Sequence, residues 1–278
     1  MAGYIVAIVL CGALLHATWN ALVKGGQDPF LSTVLVASGA AAISALCLPW
    51  LAQPAPASWP YLAASTTVHF AYYGLLAGAY RHGDMSHAYP LMRGSAPLMV
   101  ALASVPLLGE RLAPVQYAAV ACICGGMFGL WLGAAGRAVP RASAFALLNS
   151  VVIAAYTLID GLGARASHAP AAYVMWLHVL SAAGLLAWTL ARRPAQLASY
   201  GQRHWRVAAL GGAGTLGSYG LSLWAMTMAP LAAVAALRET AILFAALIAR
   251  IFLGEAIGGR RAVAIAVIAA GAILMRLS

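Results

Sequence analysis

Four ionisable side chains, Arg93, Asp160, Arg238 and Glu239, sit inside long apolar runs where water is expected to be absent. Insertion scales put the cost of a charged residue at the centre of a membrane-spanning helix at about 2.5–3.5 kcal/mol. Such groups therefore face a bundle interior or an aqueous cavity. Two guanidinium groups on one cavity would bind an anionic or zwitterionic solute, because each can grip a carboxylate, phosphate or phosphonate with paired N–H donors. The competing arrangement is internal neutralisation, with Arg238 on Asp160 and Glu239 on Arg93. Arg238 and Glu239 point about 100° apart on a helix and are poorly placed to pair with each other. Glu239 has a second possible task, exchanging a proton as a coupling group. Asp160 stands nearer a helix end and reads as structural.

Polar faces on neighbouring segments supply candidate walls for that cavity. His16 and Asn20 are one helical turn apart with Trp19 beside them. His69 and Tyr73 share a face with Tyr80 further along, and Tyr89 lies one turn before Arg93. Thr215, Tyr219 and Ser222 form a stripe near Trp224. Interhelical hydrogen bonds, worth about 0.6 kcal/mol each on average, explain any one of these without a ligand. As a set they favour an interior cavity. His178 stands alone and reads as a satisfied core histidine. His82, His87, His168 and His204 fall near loops.

The elements that must hold these residues follow from composition. Of 278 residues, 63% are hydrophobic and 8% charged, against roughly 25% charged in a soluble domain. A span needs about 20 mostly apolar residues. Gly, Pro and charge clusters divide the chain into ten: 3–23, 30–50, 59–81, 86–108, 113–135, 142–163, 169–190, 205–227, 230–253 and 259–277. The fold expected is an all-α membrane bundle. The longest loop expected is 191–204. The net charge of +10 resides in residues scattered between apolar runs, which argues against nucleic-acid binding. The four cysteines lie in apolar runs without metal or disulfide spacing. No hydrolase or metalloprotease motif is present, so an enzyme is not expected.

An offset of 145 residues lays Arg93 on Arg238, Gly109-Glu110 on Gly254-Glu255, and Gly126 on Gly271. Charged residues are too scarce for such matches to be casual. Two five-helix halves follow, 1–137 and 138–278. An odd helix count per half makes the second enter the membrane in the opposite sense. That is an inverted repeat, which in secondary transporters places substrate near the midplane. Gly125, Gly129 and Gly133 recur every four residues and predict a close helix contact or a dimer face. The chain is therefore expected as a monomer or a homodimer.

The ten short-looped segments, the two Gly-Glu turns and the run His16-Ala17-Thr18-Trp19-Asn20-Ala21-Leu22-Val23-Lys24 resemble the drug/metabolite transporter superfamily, in its EamA type. The His-x-x-Trp-Asn run is also similar to members associated with phosphonate-utilisation genes. The resemblance implies alternating-access carriers of amino acids and other metabolites, without a bound cofactor, in a bacterial inner membrane. The rival readings are an exporter of cationic or lipophilic compounds with Glu239 as the binding acid, or a flippase of lipid-linked substrates. Eleven basic residues fall in the loops on one face and three on the other. The positive-inside rule then puts both termini outside, whereas the resemblance implies both inside.

Overall fold

The computed structural model describes residues 1–133, 139–253 and 258–278. Among these, all regular structure is helical. The helices are α1 (Gly3–Lys24), α2 (Pro29–Cys47), α3 (Trp59–His82), α4 (Met85–Leu108), α5 (Pro114–Gly133) and α6 (Pro140–Ser167), followed by α7 (Pro170–Arg192), α8 (Pro194–Arg203), α9 (Trp205–Met226), α10 (Leu231–Arg238), α11 (Ala241–Leu253) and α12 (Gly259–Leu277). Seven stretches are long and apolar enough to cross a membrane, including Leu231–Ile251, which runs through the α10–α11 turn. Helices α3, α9 and α12 reach 24, 22 and 19 residues with more polar sequences.

The described residues thus hold twelve α-helices, besides short 3-10 turns at Leu48–Trp50 and Pro56–Ser58, where the sequence predicts ten. One extra helix comes from the span expected at 230–253, which is divided between Arg238 and Ala241. The other is α8, which corrects the expected loop at 191–204. Its first residue, Pro194, occupies N1, where a missing N–H costs nothing. Tyr200 of α8 anchors it on α2, its hydroxyl 2.9 Å from that of Ser32.

Proline also starts α2, α5, α6 and α7. Asp28 caps α2 by accepting the Leu31 N–H at 3.0 Å. Gly109 ends α4 at φ +65°, a left-handed conformation that glycine adopts without Cβ strain. The matching Gly254-Glu255 turn lies outside the described residues. Large apolar side chains such as Leu102, Leu107 and Trp50 face outward, 77%, 69% and 80% exposed. That is the expected surface for a protein solvated by lipid.

Helix pairing carries the two-part plan. Helix α3 packs along α6, and α1 along α9; α4 packs on α5 and α6, and α5 runs along α12. At this last contact a Cβ on Gly126 would meet Ala264 and Ile268, and one on Gly271 would meet Ala119 and Ile123. The offset of 145 residues converts the first contact into the second. Residue numbers rise on one helix as they fall on the other, so the crossing is antiparallel and reciprocal. The two glycines let the backbones approach closely. The stripe expected to do this does not: Gly125 and Gly133 have nothing within 4 Å, and Gly129 only Ala264 at 3.5 Å. Close packing runs one residue round the helix, through Gly126.

A second tie joins the parts. The Glu110 carboxylate, just after α4, meets the Arg165 guanidinium on α6 at 2.7 Å. Its other oxygen accepts the Leu231 N–H at 2.9 Å, capping α10 from across the molecule. Arg165 also donates to the Met226 and Ala229 carbonyls at 2.8 and 2.9 Å. One ion pair thereby fixes the approach to the helix that carries Arg238.

Candidate functional site

The site forms where α4 and the α10–α11 junction meet α6. Glu239 and Thr240 form a tightened turn between α10 and α11. Their N–H groups bond to the Ala236 and Leu237 carbonyls at 3.0 and 3.1 Å, three residues back instead of four. The Ile242 N–H then turns to the Glu239 carbonyl at 3.1 Å. In α4, Pro97 has no N–H to give the Arg93 carbonyl four residues behind it. In both arginine-bearing stretches the regular ladder is interrupted one turn after the guanidinium. Arg238 also ends α10, where the helix dipole favours a cation.

Arg93 and Glu239 form a two-point ion pair. Arg93 Nε donates to Glu239 Oε2 at 2.9 Å, and Nη2 lies 2.7 Å from Oε1. Both side chains are about nine-tenths buried. This is the neutralised arrangement weighed above for Arg93. It does not extend to Arg238, which makes no ion pair with Asp160. The Arg238 guanidinium instead lies over the Tyr219 ring, 5.1 Å from its centre. Arg93, Pro97, Thr157, Arg238 and Glu239 line one hollow of about 10 Å³, room for about one water. The two arginines therefore share a site that is closed around them in this conformation.

Asp160 lies at full burial on α6. It accepts two hydroxyls, Tyr173 on Oδ1 at 3.3 Å and Tyr219 on Oδ2 at 2.5 Å, while the Ser65 hydroxyl of α3 lies 3.2 Å from His69 Nδ1. His69 lies within electrostatic reach of the carboxylate and stacks on Tyr156 with ring centres 4.6 Å apart. His178 bonds the Val174 carbonyl at 2.9 Å and meets the Tyr219 ring edge-on.

The remaining candidates divide. His16 and Tyr89 lie in the electrostatic field of Arg93 and Arg238, though neither lines the hollow. Trp19 packs edge-on against His16, and its buried indole N–H has no partner. Asn20 bonds back to the His16 carbonyl at 2.8 Å, on its own helix. Tyr73 packs on Tyr72, in the aromatic group around His69. Trp224 is half-buried near the end of α9, and no polar contact ties it to the arginines.

Three features escaped the sequence reading. Tyr156 bridges the two clusters, interacting electrostatically with Arg93, Arg238, Glu239 and Asp160; its position one turn before Asp160 was a usable signal. The Arg165–Glu110 pair looked like two loop charges. His87, placed near a loop, is fully buried and accepts the Trp131 indole N–H at 3.2 Å while lying 2.9 Å from the Ser143 hydroxyl. No grouping of His, Cys, Asp and Glu among the described residues could hold a metal ion.

A lipid-facing helical bundle with charged groups gathered at an interruption of its helices has the build of a membrane transporter. The EamA-like transporter family model matches residues 2–132 and again 141–277. The chain belongs to the EamA-like transporter family, within the drug/metabolite transporter superfamily, as a transporter of small molecules with two repeats. A solved structure titled only "Crystal structure of protein" matches at TM-score 0.77 and 22% identity, over 100% of this chain and 98% of the other. That likeness concerns the fold alone. No curated protein matches the sequence.

Proposed function

We propose that this chain is a secondary transporter of a small anionic or zwitterionic solute, working by alternating access. Its ten spans would count α10 and α11 as one interrupted span and α8 as an interfacial helix. Two inverted halves, near 1–137 and 138–278, would rock about the α5–α12 contact. In this reading Arg238 is the anchor for the solute's negative group and the Arg93–Glu239 pair is the latch that closes the hollow. A bacterial inner membrane is the setting the reading assumes.

The observation that carries this is the unequal use of the two arginines. Arg93 is bonded to the carboxylate at two points, whereas Arg238 makes no ion pair among the described residues and lies over an aromatic face. The hollow therefore holds two guanidinium groups against one carboxylate, a net charge of +1 before any solute enters. This favours an anion over the lipophilic cations of the rival reading. It also suits phosphonates and amino acids alike, since both offer an oxygen pair to a guanidinium.

A thermal-shift panel on the detergent-purified protein tests it. Amino acids, small carboxylates and phosphonates should raise the melting temperature, and Arg238→Ala should abolish the rise. Stabilisation by tetraphenylphosphonium alone would reject the reading. Hits should then cross proteoliposome membranes unchanged.

A further inference from the structure

We propose that Asp160 is a proton-binding site, linked to solute occupancy through Tyr219. The link to solute rests on the transporter reading above; the proton site does not.

The two buried carboxylates have partners of opposite kinds. Glu239 is held by guanidinium N–H groups, which donate and cannot accept. A proton on Glu239 would therefore face a donor and leave Arg93 unpaired. Asp160 is held by the hydroxyls of Tyr173 and Tyr219. A hydroxyl donates to a carboxylate and, by rotating, accepts from a carboxylic acid. The same two tyrosines therefore satisfy Asp160 with or without a proton, and no Lys or Arg among the described residues forms an ion pair with it. Asp160 can change charge without breaking its shell.

Other groups around it are compatible with this role. From α3, His69 lies within electrostatic reach of the carboxylate, with its Nδ1 against the Ser65 carbonyl at 2.8 Å. From α7, His178 reaches the far side of Tyr219. Tyr156, on the same helix as Asp160, interacts electrostatically with it and with the Arg93–Glu239 pair of α4 and the α10–α11 turn. From α10, Arg238 reaches it only through Tyr219.

Tyr219 is one rigid body with two contacts. Its hydroxyl bonds Asp160 and its ring face carries Arg238. The sign of the coupling follows from charge. With Asp160 ionised, the four buried charges (Arg93, Arg238, Glu239 and Asp160) sum to zero. With Asp160 protonated they sum to +1. An anionic solute therefore binds better when the proton is present, and by linkage the proton binds better when the solute is present. Proton and anion travel together.

Infrared difference spectroscopy of the purified protein, titrated through pH without any solute, reads the carboxylic C=O band directly. Wild-type protein should show a band that titrates; Asp160→Asn should lose it and Glu239→Gln should keep it. A titrating band that survives Asp160→Asn, or one that disappears only in Glu239→Gln, overturns the proposal. If Asp160→Asn does not fold, Tyr219→Phe decides: removing one partner should shift the band, and an unshifted band overturns the assignment. A failed anion panel would sink the transporter reading and leave this band in place. A missing Asp160 band would sink the proton site and leave the panel's result standing.

Discussion

Arg93 and Arg238 occupy the same position in the two repeats, yet they hold different partners. The residue that follows each explains why. Arg93 precedes Gly94, where an added Cβ would lie 2.9 Å from the Met127 Cβ on α5. Helix α4 presses on α5 so closely there that no carboxylate fits. Arg238 precedes Glu239, at the turn where α10 gives way to α11. The second repeat thus has room for an acid that the first cannot hold. That acid crosses the repeat boundary to neutralise Arg93 and leaves Arg238 on an aromatic ring. The two repeats carry equivalent cations, and a difference in packing leaves one paired with a carboxylate and the other on an aromatic ring.

The comparison breaks most visibly at Glu239. Glu239→Ala leaves Arg93 buried without a partner, a change that typically costs about 3–5 kcal/mol. It should give the largest fall in melting temperature of any single substitution at the site. The double variant Arg93→Leu with Glu239→Leu should recover most of that loss, because it removes both charges together. Equal melting temperatures for wild type and Glu239→Ala would show that the pair is not a stabilising latch.

Next is Gly94→Glu, which writes the second repeat's residue into the first. The α4–α5 contact should resist it, at a cost of about 1–3 kcal/mol for overpacking. Gly94→Ala should cost less, by the room Met127 can give. A neutral effect of Gly94→Glu on thermal unfolding would show that packing is not what separates the two arginines.

Arg238→Ala tests function more than stability. Losing a cation over an aromatic ring forfeits roughly 0.5–2 kcal/mol, so the protein should still purify as a monodisperse species. Binding of whichever anion the panel identifies should weaken at least tenfold, about 1.4 kcal/mol. Arg93→Ala should instead lower stability, since Glu239 loses both bonds of its ion pair. Swapped phenotypes would exchange the roles assigned to the two residues.

How much of this could be read from sequence depended on chemistry that repeats. The offset linking Arg93 to Arg238 and Gly126 to Gly271 revealed the duplication, because rare residues stand out against an apolar background. The partnership of Arg93 with Glu239 was legible as one of two arrangements, but not as the one present. Periodicity reports which face a residue occupies and says nothing of which distant helix faces it. Asp160 looked peripheral because α6 continues to Ser167, further than the span predicted at 142–163. The break after Arg238 gave no Pro or Gly signal, since Glu239-Thr240 is ordinary helix sequence. The glycine stripe misled by one residue, as Gly125 and Gly126 are chemically equal and only the partner helix distinguishes them.

The smallest expected effect separates ring from hydroxyl at Tyr219. Tyr219→Phe keeps the face under Arg238 and removes the hydrogen bond to Asp160. Interhelical hydrogen bonds in membranes average about 0.6 kcal/mol, and the Tyr173 hydroxyl remains on the carboxylate. The melting temperature should therefore fall slightly, and less than in Tyr219→Ala, which also strips the ring from Arg238. Anion affinity should persist in Tyr219→Phe, because the ring that positions the guanidinium is intact. Its dependence on pH should flatten, because the hydroxyl is the link between Arg238 and Asp160. Isothermal titration of the panel's anion across pH, in wild type and Tyr219→Phe, measures both quantities at once. A variant that loses affinity altogether would make the hydroxyl part of the anchor. A variant with unchanged pH dependence would show that Asp160 and Arg238 act independently.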